Sequence, residues 1–125
     1  MPQIQFPYGK TSLAYDIPED RYAGTLISNM HHYAPGKSAE EIVRESLENP
    51  IGTPRLCELA RGKQNIVIIA SDHTRPVPSK IIAPLMLEEI RKGNPNADIT
   101  FLISTGCHRG TTREELKEKF GEEIA

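Results

Sequence analysis

Apolar and polar residues alternate through Ile4, Phe6 and Tyr8, and again through Leu13, Tyr15 and Ile17, on either side of Gly9-Lys10. A period of two on both sides of a turn predicts two half-buried strands, a β-hairpin. From Gly24 to Pro35 no period holds, and the stretch reads as a loop or extended connection that carries the adjacent His31 and His32. Ser38 followed by Glu41 is a capping box, after which Ile42, Val43 and Leu47 make the apolar stripe of a short helix that Asn49-Pro50 stops. Thr53-Pro54 predicts a second N-cap with proline at the first helical position, ahead of Leu56, Cys57 and Leu59 and a stop at Gly62.

The pattern changes at Asn65. Ile66 to Ala70 is a continuous apolar run without polar alternation, which predicts a central parallel strand buried on both faces. Residues 79 to 92 have a helical period, with Ile82, Leu85, Met86 and Ile90 on one side and Gly93 as the C-terminal signal. Pro84 must kink that helix or lie near its start. Asp98 to Ser104 predicts a second strand, and Thr112 with Glu115 caps a last helix that ends at Gly121. Strand, helix and strand in this order form a right-handed crossover. The expected class is α/β: an N-terminal β-hairpin, then a βαβ crossover of a mainly parallel sheet with helices packed on it. Two parallel strands alone leave edges unpaired and a face uncovered, so the expectation is an incomplete domain.

Composition narrows the functions open to the chain. Its 125 residues fit one domain, and the net charge of −2 gives no basic field for nucleic acid. No apolar run approaches the roughly 20 residues of a spanning helix, and the first residues lack the basic start and apolar core of a signal peptide. A cytoplasmic protein that neither enters membranes nor binds nucleic acid is expected. Cys57 and Cys107 lack CxxC spacing, so reduced thiols are expected rather than a disulfide framework or a zinc knuckle. Cys107 with His108, and His31 with His32, lack the spacing of metal pairs, and no metal ligands are assigned within the chain. The charged stretches Glu88 to Lys92 and Arg113 to Lys119 alternate in sign as solvated helix faces do.

The chemistry concentrates at two strand ends. Asp72, His73, Thr74 and Arg75 follow the first parallel strand, and Thr105-Gly106-Cys107-His108-Arg109 follows the second. Ligands of open α/β sheets bind beyond the carboxyl ends of the strands, so the two loops should bring Asp72, Thr74, Arg75 and His108 together. Arg75 offers a planar fork that matches a carboxylate, and His108 carries an imidazole, the side-chain type that can both take and return a proton. Ser104-Thr105-Gly106 and Gly110-Thr111-Thr112 place hydroxyls and amides at a helix start, which favours an anion. Each residue also has an ordinary reading: Asp72 and Thr74 as turn-formers, Arg75 as a surface ion-pair partner, His73 turned away as a structural imidazole, His108 as a loop residue without a role.

Asp72-His73-Thr74-Arg75-Pro76, with Gly106-Cys107-His108-Arg109-Gly110 some thirty residues later, resembles the N-terminal part of the lactate racemase family, the enzymes that invert 2-hydroxy acids with a nickel-pincer nucleotide. The resemblance implies that residues 1–125 are the N-terminal portion of that family's cofactor- and substrate-binding domain. It implies a cofactor, a pyridinium bisthiocarboxylate mononucleotide carrying nickel, contacted by Asp72, His73, Thr74 and Arg75. Arg75 would also meet the substrate carboxylate. His108 would be one of two acid/base histidines, taking the hydroxyl proton as hydride passes to the cofactor. The cofactor-anchoring lysine, the nickel-bound histidine, the second catalytic histidine and the C-terminal domain are expected beyond residue 125, so the fragment itself is expected to be inactive. The implied partners are a small 2-hydroxy acid and cofactor-delivery proteins. The alternative function is a non-catalytic nucleotide- or phosphate-binding module that uses the same two loops.

Overall fold

The computed structural model describes residues 1–125, which form two compact units, Met1–Ala34 and Pro35–Ala125. In the first unit, β1 (Gln3–Tyr8) and β2 (Thr11–Asp16) pair antiparallel, with Ile4 opposite Tyr15 and Phe6 opposite Leu13. Gly9 supplies the positive φ of 59° that the tight turn requires. The hairpin forms where its alternation places it, but its strands are not half-buried: Phe6 is 51% and Tyr15 61% exposed. A two-stranded ribbon has no second layer within its own unit to cover its apolar face. His31 and His32 close a short 3-10 turn over Asn29–His32 and are both exposed.

In the second unit, α1 (Ala39–Glu48) begins at Ser38, whose hydroxyl accepts from the Glu41 amide while Glu41 accepts from the Ser38 amide. The next helix, α2 (Leu56–Ala60), starts later than Thr53-Pro54 predicts. Arg55 is its N-cap, because the Glu58 carboxylate three residues on accepts from the Arg55 amide. Two strands, β3 (Asn65–Ser71) and β4 (Asp98–Ser104), pair parallel from Asn65 opposite Asp98 to Ser71 opposite Ser104. Between them runs α3 (Ser79–Gly93), and α4 (Arg113–Phe120) follows. Pro84 lies inside α3 at an exposed position, so the Lys80 carbonyl receives no amide from it.

The core gathers Ala83, Leu85 and Ile90 of α3 with Ala60, Ala97 and Phe120, and the Phe120 ring packs 5.3 Å from that of Phe101 on β4. The apolar run of β3 is buried on one face only. Ile66, Ile68 and Ala70 are sheltered, whereas Val67 and Ile69, with Leu102 of β4, are 58%, 72% and 54% exposed. β3 therefore has one strand neighbour and one covered face, where a central strand with two was expected. Helices α2 and α3 meet at Gly93, which is the last residue of α3 and not a stop beyond it. A Cβ built there would lie 1.7 Å from the Cys57 carbonyl oxygen, so only glycine admits this approach. The charged face of α3 is not uniformly solvated: Glu89 is 2% exposed, and Arg55 and Lys92 hold its carboxylate at 2.7 and 3.2 Å.

Candidate active site

Because β3 and β4 are parallel and in register, Ser71 and Ser104 end at the same edge and both loops leave from it. Asp72 is 1% exposed and sits at the centre. Its Oδ1 accepts from the Thr74 amide (3.1 Å) and hydroxyl (2.7 Å), and its Oδ2 lies 2.5 Å from His108 Nδ1. The Thr74 hydroxyl and then His108 hold the Asp72 carboxyl well below the usual carboxylate range, so the group is an anion at neutral pH. An anionic carboxylate only accepts hydrogen bonds, so His108 donates to it from Nδ1 and keeps Nε2 as its lone-pair nitrogen. The His108 amide donates to the Thr105 carbonyl (3.0 Å) across a turn that places Gly106 at φ 58°.

Asp72, Arg75 and His108 border a cavity of about 450 Å³ with Ser71, Ser104, Thr105, Gly106 and Cys107. Arg75 also borders a second depression of about 330 Å³, with His73, Ser79, Lys80 and Lys119. Its carbonyl accepts from Lys119 Nζ at 3.1 Å. The expected convergence of Asp72, Thr74, Arg75 and His108 is therefore present. His73 is placed differently: its Nδ1 lies 3.3 Å from the Thr111 hydroxyl and 3.8 Å from Glu115, on the α4 side. Thr112 is engaged in capping α4, where its hydroxyl accepts from the Glu115 amide.

Sequence reasoning passed over Glu115 as part of a wet face. Its side chain is only 24% exposed and accepts from Arg109 at 2.9 and 2.6 Å and from the Thr112 amide at 2.9 Å. Arg109 and then the Thr112 amide pull the Glu115 carboxyl down to about 2. The capping-box spacing signalled the helix start, but nothing local marked Arg109 as the carboxylate's second partner.

The depressed carboxyls set an acid limit to the fold. A carboxyl with a folded pKa below its unfolded one adds stability above the unfolded value and loses it as pH falls through the folded value. Glu88 is likewise lowered to about 2 by Arg44 and then Lys92, at 3.1 and 3.0 Å, so for Glu115 and Glu88 the window is pH 4.5 to 2, and Asp72 extends it further down. Thermal melts should thus show Tm nearly flat from pH 7 to 5 and falling below about pH 4. A flat profile to pH 2 would mean that these pairings are absent in solution.

No group of three or more His, Cys, Asp and Glu side chains is gathered so that it could hold a metal ion. The 450 Å³ cavity offers hydroxyls at Ser71, Ser104 and Thr105, a guanidinium at Arg75 and open space beside Gly106, donors that can meet the oxygens of an organic or anionic ligand.

The chain is 57% identical over 124 residues to a lactate racemase of Thermoanaerobacterium thermosaccharolyticum and 51% identical to one of Lactiplantibacillus plantarum. In both cases 99% of this chain matches 29% of the relative, so it spans less than a third of their length. Its fold is similar to the structure of the lactate racemase apoprotein from T. thermosaccharolyticum, with a TM-score of 0.82 and 56% identity over 99% of this chain and 28% of that one. The sequence pattern described as the lactate racemase N-terminal domain matches residues 8–125, and the chain belongs to that family.

Proposed function

We propose that this segment supplies one acid/base arm and the substrate clamp of a racemase acting on lactate or a close 2-hydroxy acid. The observation that carries the reading is the Asp72–His108 pair at the rim of the cavity that Arg75 borders. Asp72 orients the imidazole and stabilises its cationic form, while Nε2 takes the hydroxyl proton of the substrate and later returns it. Arg75 grips the substrate carboxylate with two parallel N–H donors, which fixes the hydroxyl-bearing carbon against the base. Arg75 and the hydroxyls around Gly106 would hold the mononucleotide part of a nickel-pincer cofactor, with Asp72 and Thr74, which are bonded to each other, bracing the loop behind them. When bound, that cofactor supplies the hydride acceptor. The reaction belongs in a reducing cytoplasm, in keeping with the free thiols of Cys57 and Cys107.

Racemisation of L- and D-lactate by a full-length enzyme carrying this segment, loaded with cofactor, is the direct test; nucleotide binding without inversion would favour the non-catalytic module. In that enzyme Arg75→Lys should raise KM about tenfold or more, because a point charge cannot reproduce the bidentate grip. Steady-state kinetics decide it, and an unchanged KM would remove Arg75 from the carboxylate site. Residues 1–125 alone should not invert lactate, because one base serves only one face of the substrate carbon.

A further inference from the structure

Glu115 touches neither Asp72 nor His108, yet it lies against the residue that follows each of them in the chain. Arg109, next to His108, is bound bidentately at 2.9 and 2.6 Å, and His73, next to Asp72, lies 3.8 Å away. His73 also reaches Thr111, three residues past His108, at 3.3 Å. The two loops are thus joined twice: inside by Asp72–His108, and outside through a carboxylate on α4. In the outer link the side chains of Glu115 and His73 are 24% and 19% exposed and Arg109 is 60% exposed, while in the inner link Asp72 is 2% and His108 46% exposed.

We propose that Glu115 is a positioning residue for His108: its carboxylate clamps Arg109, beside His73 of the facing loop, and so fixes the loop that carries His108 against the one that carries Asp72. This rests on the racemase reading of the site. An imidazole held at only one nitrogen swings about that bond, and misplacing a base by about 1 Å can cost about 10²-fold in rate. Arg109 also donates to the Gly110 carbonyl at 2.9 Å, so its pairing with Glu115 ties the backbone beside His108 to α4 and limits how far the base can be displaced.

Glu115 also completes the capping box of α4, so its structural and positioning roles must be separated. Glutamine keeps the box, since its carbonyl oxygen still accepts from the Thr112 amide, but it removes the charge that binds Arg109 bidentately. Thr112→Ala does the reverse: it removes the cap hydroxyl and leaves the charge. In the full-length holoenzyme, Glu115→Gln should lower kcat about tenfold with KM within about twofold and Tm nearly unchanged, while Thr112→Ala should lower Tm and leave kcat near the wild-type value. Hydrogen exchange of the His108 amide, which is bonded to Thr105, should quicken in Glu115→Gln and not in Thr112→Ala. That readout is independent of turnover, so it still bears on the clamp should the enzyme prove not to act on lactate. Wild-type kcat with unchanged exchange in Glu115→Gln, or kcat and Tm falling together in both variants, would overturn the proposal.

Discussion

Replacing His108 by alanine in the full-length enzyme should lower kcat by about 10²- to 10⁴-fold while the fold survives. The side chain is 46% exposed and outside the core, so its removal leaves no apolar void. What it takes away is the lone pair at Nε2, which no other group on the two loops replaces: Asp72 is 1% exposed and engaged at both oxygens, His73 faces Thr111 and Glu115 on the α4 side, and Cys107 is not oriented by any carboxylate. KM for lactate should change far less than kcat if Arg75 is the carboxylate clamp proposed above, because that side chain is left in place. Circular dichroism and Tm matching the wild type would confirm that the loss is chemical. A variant that retained more than half the wild-type rate would exclude His108 as a base.

The largest effect on stability should come from Gly93→Ala. The added Cβ would lie 1.7 Å from the Cys57 carbonyl oxygen and 2.5 Å from its carbon, and both obstacles are backbone rather than a yielding side chain. Helix α2 must therefore shift off α3. That movement strains the Arg55–Glu89 pair, which holds a carboxylate 2% exposed, and the bonds from Asn94 Nδ2 to the Ala60 and Lys63 carbonyls at 2.9 and 2.6 Å. Alanine is the better helix former by about 1 kcal/mol, yet overpacking against backbone typically costs about 1–3 kcal/mol, and uncovering a buried charge adds to it. We expect a net loss above about 2 kcal/mol by urea titration. A neutral or stabilising substitution would show that the two helices are not in this close contact in solution.

The positions of most elements were legible because each is signalled by a few neighbours in sequence. Ser38 with Glu41 and Thr112 with Glu115 mark helix starts through bonds that span three residues, and Gly9-Lys10 marks a turn through its own dihedrals. Periodicity likewise located α3 despite Pro84, because an exposed proline removes one bond without disturbing the apolar face. The convergence of Asp72, Thr74, Arg75 and His108 was also readable, since two parallel strands in register must end at one edge.

Burial and partnership were decided only by the tertiary structure. A run such as Ile66–Ala70 records that its side chains are apolar, not whether a layer lies over each face, and here one face stays open. Gly93 reads as a helix stop in one dimension, yet its reason is a carbonyl from α2, 36 residues earlier in the chain. The direction of His73 and the second partner of Glu115 depend on where α4 comes to rest beside the two loops, a contact with no local sequence signal. Short-range hydrogen bonds and dihedral preferences are encoded by residues within a turn of one another, whereas packing distance and charge pairing arise when the chain closes on itself.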